Sequence, residues 1–277
     1  MKKLYSALCL ALAFVNLHAE SCQPKSLLEL PEPLFSLGQN IINKNEIFIG
    51  PVFYANYWAQ DESLNFMPTA LYGVTDTFTL TCFLPTFFTI ENGGKSGSGC
   101  GDIIPGFEWA FIHQKNNDAL TQATIFAQIK IPVSKREPIL TSGAVDFIVG
   151  STLAYNNESS YMFISGGAQC PTWHKNHRKG YQFYYEAGIG PILHKTDNSI
   201  FSIFVEVDGI YTTSDIDNPY PSDVMLKNNA LFAGPVLYWG YKSMIVQVGA
   251  QGVIADTFNQ PSDERKSRIG MQFFLVF

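Results

Sequence analysis

From about residue 46 onward the chain alternates apolar and polar residues in short runs, with turn-forming residues between the runs. Side chains of an extended strand point to opposite faces with a period of two, so each run predicts a strand with one apolar face. Ala123, Ile125, Ala127, Ile129 and Ile131 oppose Gln122, Thr124, Phe126, Gln128 and Lys130. Phe183, Tyr185, Ala187 and Ile189 oppose Gln182, Tyr184, Glu186 and Gly188. Phe201, Ile203, Val205 and Val207 oppose Ser202, Phe204, Glu206 and Asp208, and Ile103, Phe107, Trp109 and Phe111 oppose Asp102, Gly106 and Glu108. Twelve strands are predicted, over 46–58, 66–74, 77–90, 101–113, 121–131, 144–155, 159–170, 180–193, 198–212, 229–240, 243–255 and 267–277. No helical period competes over this region.

The connections alternate in length. Thr75-Asp76, Lys115 to Asp118, Asn156 to Glu158, Lys195 to Asn198 and Tyr241-Lys242 are short, polar and turn-like. The intervening connections are longer: Glu91–Cys100, Val133–Gly143, Thr172–Gly180, Thr213–Asn229 and Asp256–Lys266, with a modest first one around Gln60–Asn65. A soluble sandwich has no reason to keep such an alternation. A barrel with short inner turns and long outer loops does.

Composition narrows the class. Charged residues are only 15% of the chain and aromatics 14%, whereas soluble domains carry about a quarter charged residues. After the N-terminal stretch no apolar run is long enough for a membrane helix. Strands whose apolar face meets lipid account for both facts and predict a closed, antiparallel, all-β transmembrane barrel. Tyr57, Trp58, Trp109, Tyr155, Trp239 and Tyr241 fall near strand ends, where an interfacial aromatic girdle would sit.

The first residues predict export. Lys2 and Lys3 precede the apolar stretch Leu4 to Val15, which ends near Leu17-His18-Ala19, the layout of a secretory signal peptide cleaved after Ala19. Cys22 lacks the surroundings of a lipidation site. Of the 18 basic residues, cleavage removes Lys2 and Lys3, leaving 16 against 24 acidic ones, a balance that does not suit a nucleic-acid partner. Residues 20–45 read as a periplasmic tail or a small plug, and 46–277 as the barrel. Cys22, Cys82, Cys100 and Cys170 have no zinc or redox spacing; Cys82 reads as a small hydrophobe, and Cys100 and Cys170, both expected near the outer rim, read as two isolated thiols in preference to a loop-stapling disulfide.

The C-terminal run Ser267 to Phe277 places Ile269, Met271, Phe273, Leu275 and Phe277 on one apolar face. An aromatic last residue on such a face resembles the C-terminal signal of Gram-negative outer-membrane barrels, which implies the barrel-assembly machinery as a partner and the bacterial outer membrane as the location. Three further blocks occur in order: Leu71-Tyr72-Gly73-Val74-Thr75-Asp76 followed by Leu84-Pro85, then Ser98-Gly99-Cys100-Gly101-Asp102-Ile103, then Thr141-Ser142-Gly143-Ala144-Val145-Asp146-Phe147. Together they resemble the outer-membrane family associated with the meta-pathway of phenol degradation. That resemblance implies a transporter or channel for a hydrophobic compound or another small solute. Read from the residues alone, the same blocks are turn chemistry, with Gly73 and Thr75-Asp76 in a tight turn and Asp102 bracing a loop.

Candidate lumen residues are Glu108, Lys130, Asp146, Glu186, Glu206, Asp208 and Arg268, all on inward faces. Glu108, Glu186 and Glu206 predict a narrow, mildly cation-favouring passage. The competing expectation is that the acids pair with Lys130 and Arg268 to fill a closed lumen. His174 and His177, among Lys175, Arg178 and Lys179, have no serine at catalytic spacing. That basic loop suits contact with lipopolysaccharide or solvent. His113 and His194 suggest no metal cluster, and Gly93-Gly94-Lys95-Ser96 lacks the spacing and helix of a phosphate loop. Neither enzyme chemistry nor a cofactor is expected. The alternative to a channel is a surface-structural or adhesin-like barrel with a blocked lumen, acting through the loop Thr213–Asn229, where Asp215, Asp217, Tyr220 and Asp223 lie.

Overall fold

The computed structural model describes residues 33–35, 37–38, 40–58, 62–92, 95–116, 119–133, 140–141, 143–174, 178–214, 228–256 and 265–277. The expected signal peptide, residues 20–32 and the tip of the Thr213–Asn229 loop, with Asp215, Asp217, Tyr220 and Asp223, lie outside the described residues.

Fourteen strand segments follow one another: β1 Ile47–Trp58, β2 Glu62–Thr75, β3 Phe78–Phe83, β4 Thr86–Asn92, β5 Lys95–Cys100, β6 Ile104–Lys115 and β7 Ala119–Lys130. They continue with β8 Asp146–Asn157, β9 Ser160–Pro171, β10 Gln182–Thr196, β11 Ser199–Thr212, β12 Asn228–Tyr241, β13 Met244–Asp256 and β14 Arg265–Val276. All pairings are antiparallel, and β1 pairs with both β2 and β14, so the sheet closes on itself. Segments β3 and β4 both pair with β2 and are one wall strand interrupted at Leu84-Pro85; β5 and β6 are another, interrupted at Gly101 to Ile103. The wall is therefore a twelve-stranded closed barrel.

The interruptions have local causes. Pro85 has no N–H to give a ladder, and its carbonyl instead accepts from the Gly101 amide at 2.7 Å. The Leu84 amide donates to the Pro68 carbonyl at 3.0 Å. Residues Lys95–Cys100, expected in a loop because Gly and Ser dominate them, form β5 because β4 supplies a partner ladder. Strand pairing overrides a weak local propensity there.

Face assignment follows the sequence alternation. On β7 the even positions Leu120 to Gln128 are buried while Ile125 and Ile129 are exposed. On β14, Ile269, Met271 and Phe277 are exposed while Gln272, Phe274 and Val276 are buried. The outward residues form the apolar band that lipid would cover, and Trp109, Trp239 and Tyr241 sit exposed near the short-turn end. Trp239 and Tyr241 stack with ring centres 6.1 Å apart.

Inside, the end nearest the short turns is packed like a soluble core. Phe48, Leu71, Tyr161, Phe163, Ile200, Phe204, Val236, Tyr238, Ile245, Phe274 and Val276 form one buried cluster there. Inward apolar side chains fill a barrel of this size as readily as polar ones do.

Candidate functional site

Two chain features shape the lumen: a polar band across its middle and the residues just before β1. The described part of the stretch from Pro33 to Asn45 runs inside the barrel rather than outside it. A segment without its own secondary structure has N–H groups that need acceptors when buried, and inward glutamates supply them. Glu206 on β11 accepts from the Leu34 and Phe35 amides at 3.2 and 3.0 Å. Glu186 on β10 accepts from Leu37 at 3.0 Å, and Glu108 on β6 accepts from the Asn40 amide at 2.9 Å and its side-chain amide at 3.0 Å. Thr79 accepts from Ile42, and Asp76 from Lys44. In return the Tyr54 hydroxyl donates to the Leu34 carbonyl at 2.9 Å and Ser165 to the Leu37 carbonyl at 3.1 Å.

The three glutamates expected to form a cation-favouring ring therefore face the lumen and spend carboxylate oxygens on the backbone of this inner segment. The expected acid–base pairing occurs with other acids. Arg268 meets Asp208 at 2.7 Å and also donates to Gln251, whose amide in turn donates to Asp208. The Arg268 guanidinium lies 4.7 Å from the Phe35 ring centre and 4.5 Å from that of Phe232, so it also clamps the segment.

Glycine lets the segment lie close to the wall. Gly38 has a positive φ of 90°, and a Cβ there would come within 2.5 Å of Thr152 Oγ1. A Cβ at Gly73 would fall 1.9 Å from the Asn43 carbonyl oxygen. Gly73 is thus not turn chemistry, as the sequence suggests; the turn lies beyond it, and Gly73 makes room for the segment's backbone.

Beyond the polar band, on the side away from the short turns, a cavity of about 320 Å³ opens behind the interrupted wall. Its apolar lining includes Val52, Met67, Phe83, Phe87, Ile104 and Leu140, with Leu34, Phe35 and Leu37 of the inner segment as its floor. Lys130, Gln128, Gln169, Tyr184 and Asp102 also face it. Lys130 lies 3.7 Å from Asp102 and 3.9 Å from Asp146, and Gln169 donates to Asp146 at 2.9 Å.

Seven candidate lumen residues thus fall into two groups. Glu108, Glu186, Glu206, Asp208 and Arg268 make the band that grips the segment; Lys130 lines the cavity, and Asp146 stands beside it, 3.9 Å from the Lys130 ammonium. Asp102 falls on the inward face in the sequence alternation but reads there as a loop brace, so the sequence does not single it out as a lumen group. Nor does the sequence assign a role to Tyr54, Gln169 or Tyr184. Cys82, Cys100 and Cys170 are unpaired. Among the described residues no helix is long and apolar enough to cross a membrane, and no His, Cys, Asp and Glu cluster could hold a metal. His174, Arg178 and Lys179 remain at the loop end, where Arg178 stacks on Trp173 and Tyr181; Lys175 and His177 lie outside the described residues.

No family model matches the sequence, and no curated protein does. Among solved structures the chain is similar to an outer-membrane channel from Pseudomonas putida F1, with a TM-score of 0.68 at 11% identity over 87% of this chain and 99% of that one. LpxR from Salmonella typhimurium aligns with a TM-score of 0.49 at 8% identity over 84% of this chain and 100% of that one. TodX, a monoaromatic hydrocarbon channel, aligns at 0.35 and 8% identity over 92% of this chain and 91% of that one. The first likeness agrees with the closed wall, the apolar outer band and the length alternation of the connections: this chain has the fold of an outer-membrane β-barrel.

Proposed function

We propose that this protein is a passive outer-membrane channel for a small hydrophobic solute, with the inner segment as a constriction that must yield for passage. The observation that carries the reading is the 320 Å³ cavity with its mostly apolar lining, at the lower end of the about 300–1,000 Å³ of ordinary ligand pockets. An ion path would favour a hydrated, polar lumen; here the short-turn half is packed with aromatic and aliphatic side chains. Lipid and lipopolysaccharide are its surroundings in this reading, the latter facing the basic, aromatic loop around Arg178. A barrel acting only through its outer loops has no use for an apolar chamber inside the wall.

The test combines two measurements. In planar bilayers the intact mature protein is expected to give small, infrequent steps, and a variant lacking residues 33–45 steps several times larger. In cells, entry of a neutral apolar dye that fluoresces in phospholipid is expected to quicken with the intact protein and to fall back with Met67→Trp, which fills the cavity. Equal conductance with and without the segment, together with dye entry unaffected by Met67→Trp, would move the function to the loops.

A further inference from the structure

Asp102 is the one buried acid in this cavity whose carboxylate is left waiting. The residue is 1% exposed, and neither of its oxygens has a hydrogen-bond partner. The ammonium beside it among the described residues, Lys130 Nζ, stands 3.7 Å from Oδ2, longer than the ~3.2 Å limit of an N–H···O bond. Lys130 is no closer to Asp146, at 3.9 Å. Asp146 has another donor in the Gln169 amide, and Lys179 adds its positive charge on that side. Asp102 has neither. A buried acceptor without a donor is costly, and here the acceptor and an adjacent ammonium both face an apolar chamber.

From this geometry we infer that the cavity seats a solute bearing a neutral hydroxyl on an apolar body. The hydroxyl donates its proton to Asp102 and accepts from Lys130, while the apolar body lies against Met67, Phe83, Phe87, Ile104 and Leu140. The gap between Nζ and Oδ2 is too long for a direct bond and short enough for one oxygen to reach both. Charge excludes the ionic alternatives. Among the described residues at this end of the lumen, Asp102 and Asp146 balance Lys130 and Lys179, so an ammonium or carboxylate would bring an uncompensated charge into a mostly apolar space. A pure hydrocarbon fills the space and leaves Asp102 unserved. The inference rests on the cavity being the seat of the solute, as proposed above.

Labelled octanol is the probe, equilibrated with the mature protein in lipid nanodiscs, with empty nanodiscs subtracted. Octanol is expected to be retained at one per barrel. Its methyl ether, octane, octylammonium and octanoate should each displace it at least about tenfold less well than unlabelled octanol, the discrimination given by one hydrogen bond to a charged group. Asp102→Leu should erase the preference of alcohol over ether, and Lys130→Met should weaken alcohol and ether alike. Heat-modifiable gel migration reports whether each variant is folded, and the ligand series on the native protein decides even where a variant fails. Equal displacement by alcohol and ether, or an alcohol preference that survives Asp102→Leu, overturns the hydroxyl inference. If octane still binds and the dye still enters cells, the channel reading survives that result. Retention of neither octanol nor octane, with no dye entry, sinks both.

Discussion

At the scale of single residues, the lumen holds buried carboxylates in two states, Asp102 without a hydrogen-bond donor and three glutamates with backbone donors. Glu206, Glu186 and Glu108 accept backbone N–H groups from the inner segment, an arrangement in which the charged acceptor roughly doubles the strength of each bond. Glu206 holds two of them. Glu206→Gln keeps the shape but turns one accepting oxygen into an amide that faces a donor. That loss should weaken the segment's hold by about 2 kcal/mol, or a factor of about 30 in its docked-to-undocked ratio. Planar-bilayer recordings check this directly: openings of the deletion type should become frequent in Glu206→Gln while unfolding of the barrel in urea is little changed. An unaltered gating pattern would mean that Glu206 fills the lumen without holding the segment.

At the scale of elements, the fold and the site differ in how much the sequence discloses. Strand faces were legible throughout, because lipid outside and a polar or aromatic interior inside impose a strict two-residue period, as on β7, β10 and β11. The twelve-strand count was legible from turns and loop lengths. Less legible were the two wall interruptions, since Leu84-Pro85 and Gly101-Asp102 are ordinary loop-forming sequences whose place in the wall is set by neighbouring ladders, β2 for the first and β3 and β4 for the second. Least legible was the docking of the inner segment, because its acceptors are scattered over β6, β10 and β11 and no local pattern links them. Gly73 carried a trace of it. A Cβ there would fall 1.9 Å from the Asn43 carbonyl oxygen and 3.0 Å from that of Ile42, and these are backbone atoms that cannot swing aside. Gly73 also bonds this stretch, accepting from the Asn45 amide at 2.7 Å and donating to the Glu46 carbonyl at 3.0 Å. Gly73→Ala should therefore lift residues 42–45 off the wall while β2 and β3 stay paired. Limited proteolysis of the folded protein tests it: cleavage within 33–45 should become rapid in Gly73→Ala and stay slow in the parent. Protection equal to the parent's would show that β2 bends enough to absorb the methyl group.

At the scale of the whole molecule, the seam between β1 and β14 closes the barrel. β1 and β14 pair from Phe48 and Val276 to Trp58 and Arg265, with a bulge near Tyr57. The end of the seam is closed by Phe277 itself: its amide donates to the Ile47 carbonyl at 3.0 Å, and the Ile47 amide donates to the Phe277 carbonyl at 3.1 Å. The Phe277 ring is half exposed and adds little to the interior. Backbone and ring can then be separated by experiment. Phe277→Ala keeps both seam bonds and removes the ring, whereas removal of Phe277 loses both. Refolded into detergent, Phe277→Ala should match the parent in urea unfolding, and the shortened chain should be weaker by about 1–3 kcal/mol for two backbone bonds. In cells, both should reach the outer membrane several-fold less than the parent, measured as heat-modifiable protein in the membrane fraction. Normal cellular levels of Phe277→Ala would show that the terminal ring is not what assembly reads, and would leave the last residue with the seam as its whole task.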